Sequence, residues 1–145
     1  MEIYTIGFAR KTASEFFGTL QRAGIRRVID VRLHNTSQLA GFTKRDDLRY
    51  FLGAICKAAY QHEPLLSPTE EILDGYKKKA IAWEEYEGRF RALLEERRVE
   101  DALDRKSFAV PTALLCSEPT AEHCHRRLVA EHLAAQWGDV KVVHL

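Results

Sequence analysis

Residues 110–145 read VPTALLCSEPTAEHCHRRLVAEHLAAQWGDVKVVHL, and they fix how the rest of the chain is interpreted. An apolar run, 110–116, ends at Cys116 and reads as a strand. Residues 121–137 then carry Val129, Leu133 and Trp137 at helical spacing, and 140–145 returns to the β-branched composition of a strand. A strand, a helix of that length and another strand make a parallel crossover unit. The same alternation runs through the earlier part of the chain. Residues 2–6 (EIYTI) form a strand closed by Gly7. Thr12 or Ser14 caps a helix with Phe16, Phe17 and Leu20 inward, and Gly24 stops it. Residues 25–31 (IRRVIDV) are the second strand, and 34–42 (HNTSQLAGF) a polar loop. Leu48, Phe51, Leu52 and Ile55 set a helix near 44–57, followed by a weaker third strand at 58–62. Between Pro64 and about Lys106 only helices are expected: one begins near Ser67-Pro68, another carries Trp83, Tyr86, Phe90, Leu93 and Leu94.

This pattern predicts a single α/β domain over 1–145: a Rossmann-like three-layer sandwich with a mostly parallel sheet of about five strands. A helical insertion lies between strands three and four. Composition agrees, with 46% hydrophobic and 30% charged residues over 145 positions, which is globular rather than disordered. The net charge of +1 gives no global attraction to nucleic acid or to an anionic membrane, so nucleic-acid binding would need a local basic patch. No apolar run reaches membrane-spanning length, and the start MEIYTIGF reads as a strand rather than as a leader. A cytoplasmic protein with reduced thiols at Cys56, Cys116 and Cys124 is the expectation.

In open parallel sheets ligands bind outside the carboxyl ends of the strands. Those ends carry Gly7, then Asp30 and Arg32, then His62 and Glu63, then Cys116, Ser117 and Glu118. The stripe Val129, Leu133, Trp137 turns His125 and Arg126 toward the same edge, leaving His123 and Arg127 nearer solvent. With a helix N-terminus beside them, these groups suit a small anionic or nucleotide-like ligand. The candidate catalytic residues are Glu118 as acid, base or nucleophile, His125 as orienter or proton carrier, and Cys116 as a thiolate. The candidate ligand-binding residues are Asp30, Arg32, Arg126 and Gly7. Attack on an N-glycosidic bond would suit a carboxylate among cations, by analogy alone.

Plainer readings stand beside these. Cys116 can be a small hydrophobe at a strand end, Asp30 and Glu118 can be ion-pair partners of Arg32 and Arg126, and Cys124 can be packing within the helix. A cysteine-phosphatase loop would need an Arg six residues after Cys116, where Glu122 stands. No metal and no cofactor are expected. Cys116 and Cys124 are eight apart, and consecutive helical residues 123–125 diverge by about 100° each. Lys77, Lys78 and Lys79 read as a solvated face, and Trp83, Tyr86 and Phe90 as core.

The motifs YTIGF, VIDVR, CSE, CHR and VVHL, with Phe42, Leu48 and LSPT between them, resemble the domain of unknown function 488 family from Ile3 to Leu145. The resemblance implies one α/β domain and directs attention to Asp30, Arg32, Cys116, Glu118, Cys124, His125 and Arg126. It brings no established activity. Phe8-Ala9 stands where members often carry His or Tyr and a small residue, and Asn35 where many have Pro.

Overall fold

A computed structural model describes residues 1–36 and 41–145; part of the expected 34–42 loop, residues 37–40, lies outside them. Five strands, β1 (Glu2–Gly7), β2 (Arg27–Asp30), β3 (Ala59–His62), β4 (Thr112–Cys116) and β5 (Lys141–His144), form one sheet in the order β3-β2-β4-β1-β5. Every pairing is parallel. The helices are α1 (Ala13–Arg22), α2 (Arg45–Phe51), α3 (Glu70–Lys77), α4 (Trp83–Arg97), α5 (Val99–Ala102) and α6 (His125–Trp137). The sequence-predicted three-layer α/β arrangement is the one observed, with only helical elements between Pro64 and Ala109. The strand order is not the 3-2-1-4-5 of doubly wound dinucleotide folds. Here β4 lies between β1 and β2.

Period-two alternation along the strands divides the core in two. Ile3, Ile29, Val31, Leu114 and Cys116 point to one face and pack with Tyr86, Phe90, Leu94, Val129 and Leu133 of α4 and α6. Ile6, Val28, Ala113 and Leu115 point to the other and pack with Phe16, Phe17 and Leu20 of α1 and Leu48 of α2. Thr12 caps α1 by accepting from the Glu15 N–H, and Gly24 closes it at φ +69°. The predicted helix at 44–57 is α only to Phe51, after which Leu52–Cys56 widens into a π turn ending at left-handed Lys57.

The largest departure from expectation is at α6, which starts at His125 rather than near 121. Cys124 is its N-cap, extended at φ −137° and ψ 136°. The chain from Ser117 to Cys124 is therefore a loop over the carboxyl ends of β4 and β1, tied down where the Ala9 N–H donates to the Ser117 carbonyl at 2.9 Å.

Candidate active site

The strand ends carry two groups of polar residues. The first surrounds Asp30, which is fully buried. Its carboxylate accepts from the Arg32 backbone N–H at 3.1 Å, Nε at 2.8 Å and Nη2 at 2.8 Å, and from the Tyr60 hydroxyl at 2.6 Å. Burial works against this charge, but the Arg32 hydrogen bonds and charge, then Tyr60, outweigh it and hold Asp30 below the usual carboxylate range. Arg32 also donates to the Thr43 carbonyl and lies over the Phe8 ring at 5.2 Å. Position 8 thus contributes a ring face to a cation, and the aromatic residue there has a packing role.

The second group is built on β4 and the start of α6. Cys116, Cys124 and His125 are buried on the face shared with α4. His125 Nε2 is 2.7 Å from the Val31 carbonyl oxygen. A carbonyl can only accept, so Nε2 carries a proton; in the neutral ring the lone pair is then on Nδ1. Cys116 Sγ lies beside the ring, 3.6 Å from that Nδ1 and 3.8 Å from Nε2, and the Phe90 ring packs on the imidazole at 5.4 Å between centroids. Cys116 is the more acidic thiol. Sharing the Cys124 proton, with help from the Ser117 N–H and the Arg126 charge, lowers it against the effect of burial. Donating that bond and burial push Cys124 well above the ordinary thiol value.

Cys116, Glu118 and His125 line a cavity of about 610 Å³, within the range of small-molecule sites. Its walls come from the helical insertion: Tyr76 and Lys77 of α3, Lys79 and Ile81 of the connection, Trp83 and Tyr86 of α4. Trp83 stacks on Tyr86 at 5.1 Å and on His123 at 5.0 Å, with interplanar angles of 21° and 22°. Glu118 is exposed at this cavity.

Several predicted site residues lie elsewhere. Asp30, Arg32, Gly7 and Arg126 are not among the described residues that line the cavity. Arg126, 1% exposed, donates from Nη1 to the Glu118 backbone carbonyl at 2.8 Å and from Nε to Thr5 Oγ1 at 3.3 Å. It meets Glu118 through the main chain, so the expected carboxylate–guanidinium pair is replaced by a latch on the loop. Gly7 serves the same latch: a Cβ there would stand 1.6 Å from the Glu118 carbonyl oxygen. Arg127 is half-buried between Glu87 at 2.8 Å and Glu131 at 2.9 Å, joining α4 to α6. His123, exposed as expected, is also part of the aromatic wall.

No local pattern singles out Thr5, which accepts from Arg126, or Val31, whose carbonyl accepts from His125 Nε2. The sequence pattern marks Trp83 as core and Lys79 as a solvated face; Trp83 does pack on the core, and both also line the cavity. Their contribution depends on how α3 and α4 fold back over β4, a long-range arrangement without a local signal.

The comparison with known families matches residues 12–133 to "Domain of unknown function DUF488". The chain belongs to this family. The DUF488 match spans both polar groups, from Asp30 and Arg32 to Cys116, Glu118, Cys124, His125 and Arg126. No curated protein and no solved structure matches the chain. No helix among the described residues is long and apolar enough to cross a membrane.

Proposed function

We propose that the cavity binds a small anionic, nucleotide-like molecule and that the protein is an enzyme acting on it, with Cys116, Glu118 and His125 nearest the reacting atoms. The observation that carries this reading is the sharing of one cavity by a thiol–imidazole pair on its floor and an aromatic stack of Trp83, Tyr86 and His123, with two lysines at its side. Stacked rings suit a planar base, and Lys77 and Lys79 suit an anionic group. The cations that meet the ligand in this reading are those lysines, while Arg126 latches the Glu118 loop and Arg32 is paired with Asp30. The proposed setting is the cytoplasm, where thiols stay reduced; the three cysteines, all free, support it.

Trp83 makes the proposal measurable. Titrating nucleoside monophosphates, diphosphates and dinucleotides at low salt should quench its fluorescence, and Trp83→Phe should remove that response. Lys79→Ala should weaken the interaction roughly 5-fold, equivalent to about 1 kcal/mol for a partly exposed charge contact. Turnover of a bound nucleotide should disappear in Glu118→Gln while its binding persists. An absence of quenching across the series at millimolar concentrations would reject the reading.

A further inference from the structure

Three side chains with metal-binding chemistry converge beneath the cavity. The Cys116 and Cys124 sulfurs and a ring nitrogen of His125 all lie within 4.8 Å of one another, and all three residues are buried. The objection from helix geometry does not hold here, because Cys124 is extended and lies before the helix. Its side chain leaves the backbone in a different direction from that of His125, and both reach Cys116.

We propose that Cys116 Sγ, Cys124 Sγ and His125 Nδ1 bind one zinc-class divalent cation whose fourth coordination position faces the cavity. This rests on the reading of that cavity as a ligand site. Four features of the site support it. The two sulfurs and a ring nitrogen lie within 4.8 Å of one another, close enough for one ion to reach all three after a small side-chain adjustment. Cys116 Sγ lies 3.6 Å from Nδ1 and 3.8 Å from Nε2, beside the ring and not along the Nδ1 lone pair, so loading must swing the imidazole. The Val31 carbonyl, 2.7 Å from Nε2, fixes the tautomer that leaves Nδ1 free to ligate, the outer-shell arrangement usual for metal-binding histidines. Two thiolates and a neutral imidazole around a divalent cation sum to zero charge, which suits a buried position. Finally, two sulfurs and one nitrogen select zinc over magnesium or calcium, and three protein ligands leave the open position that reactive zinc sites have.

The cation would stand beside the floor of a cavity that Glu118 also lines. It would offer Lewis-acid polarisation of a bound oxygen, with the carboxylate available to exchange a proton.

Chelator-treated, reduced protein titrated anaerobically with cobalt(II) tests this directly. The expected result is one cobalt per chain, with intense thiolate-to-cobalt charge-transfer absorption and the visible bands of a four-coordinate ion, displaced by zinc. Cys124→Ser should weaken cobalt binding beyond the roughly 10- to 100-fold that outer-shell changes cost. Cys56→Ser should leave it unchanged, because Cys56 packs on the opposite face of the sheet. The inference is overturned if wild-type protein gives no charge-transfer bands, if Cys124→Ser binds cobalt as wild type does, or if Cys56→Ser abolishes the bands. A Cys116–Cys124 disulfide that persists under reduction overturns it as well. Nucleotide titration separates the two readings. Trp83 quenching in protein that refuses cobalt rejects the metal alone. One bound cobalt with neither quenching nor a change in its bands rejects the nucleotide cavity alone.

Discussion

The carbonyl oxygen of Glu118 occupies the space that a side chain at Gly7 would need, 1.6 Å from the position of its Cβ, and Arg126 Nη1 would stand 2.9 Å from the same Cβ. Gly7 ends β1 beside Cys116 of β4, so this contact sets how closely the loop after β4 can lie on the sheet. Backbone atoms, unlike the end of a flexible side chain, cannot step aside. Gly7→Ala is therefore expected to destabilise the fold by roughly 3 kcal/mol through overpacking and displacement of the loop. Urea denaturation should show a lower midpoint with an unchanged slope.

Two adjacent arginines should behave very differently. Arg126 is buried and holds the Glu118 carbonyl and Thr5, so Arg126→Ala should cost about 3 kcal/mol and loosen the loop that carries Glu118. Arg127 sits in a partly exposed network with Glu87 and Glu131, and Arg127→Ala should cost no more than about 1 kcal/mol. Raising the salt concentration should shrink the second effect and leave the first. Denaturation of both variants at low and high ionic strength checks the pair.

Acid should expose the role of Asp30. Its folded-state pKa is held below the unfolded value, so its contribution is fully present above the unfolded pKa of about 3.9 and is lost as pH falls through the lower folded value. Asp30→Asn leaves the buried Arg32 guanidinium without its counter-charge and should cost about 3–5 kcal/mol at neutral pH. The variant should also lose the part of the acid-limb slope that Asp30 supplies. Thermal unfolding from pH 7 to pH 2 reads both effects.

If the thiol–imidazole cluster holds zinc, the metal should stabilise the chain by mass action. Free zinc at a hundred times its dissociation constant adds about 2.7 kcal/mol. Wild-type protein should then melt higher with added zinc and lower after chelation, and Cys124→Ser should respond to neither.

How much of this was legible in the sequence depends on the range of the interactions involved. Strand and helix alternation is written locally, and the Gly24 stop, the apolar stripe through Val129 and Leu133 and one of the two candidate caps, Thr12 rather than Ser14, matched the structure. The start of α6 did not. Pro119, Thr120 and Ala121 suit a helix entry, but the loop is held instead by Arg126 reaching back to Glu118 and by Ala9 donating to Ser117, contacts between distant segments. Placing Cys124 within the helix removed it from the neighbourhood of Cys116. For Asp30 and Arg32 the sequence admits both a ligand-binding and a pairing role; the structure shows them paired. The cavity wall was hidden for a similar reason, since Trp83 and Lys79 acquire their position only when α3 and α4 fold over β4.

The strand order has a consequence for how the chain reaches this structure. β1 comes first, yet both its neighbours, β4 and β5, lie more than a hundred residues later in the chain. During synthesis the alternating segment Glu2–Gly7 must wait, unpaired, while α1 to α5 are made, which favours slow folding and exposes a strand edge to wrong partners. The Val31 carbonyl meets His125 only once β4 lies beside β2. Cys116, Glu118, Cys124 and His125 all come after α3 and α4, so a nascent chain that stops short of β4 carries the helical wall of the cavity without the residues of its floor.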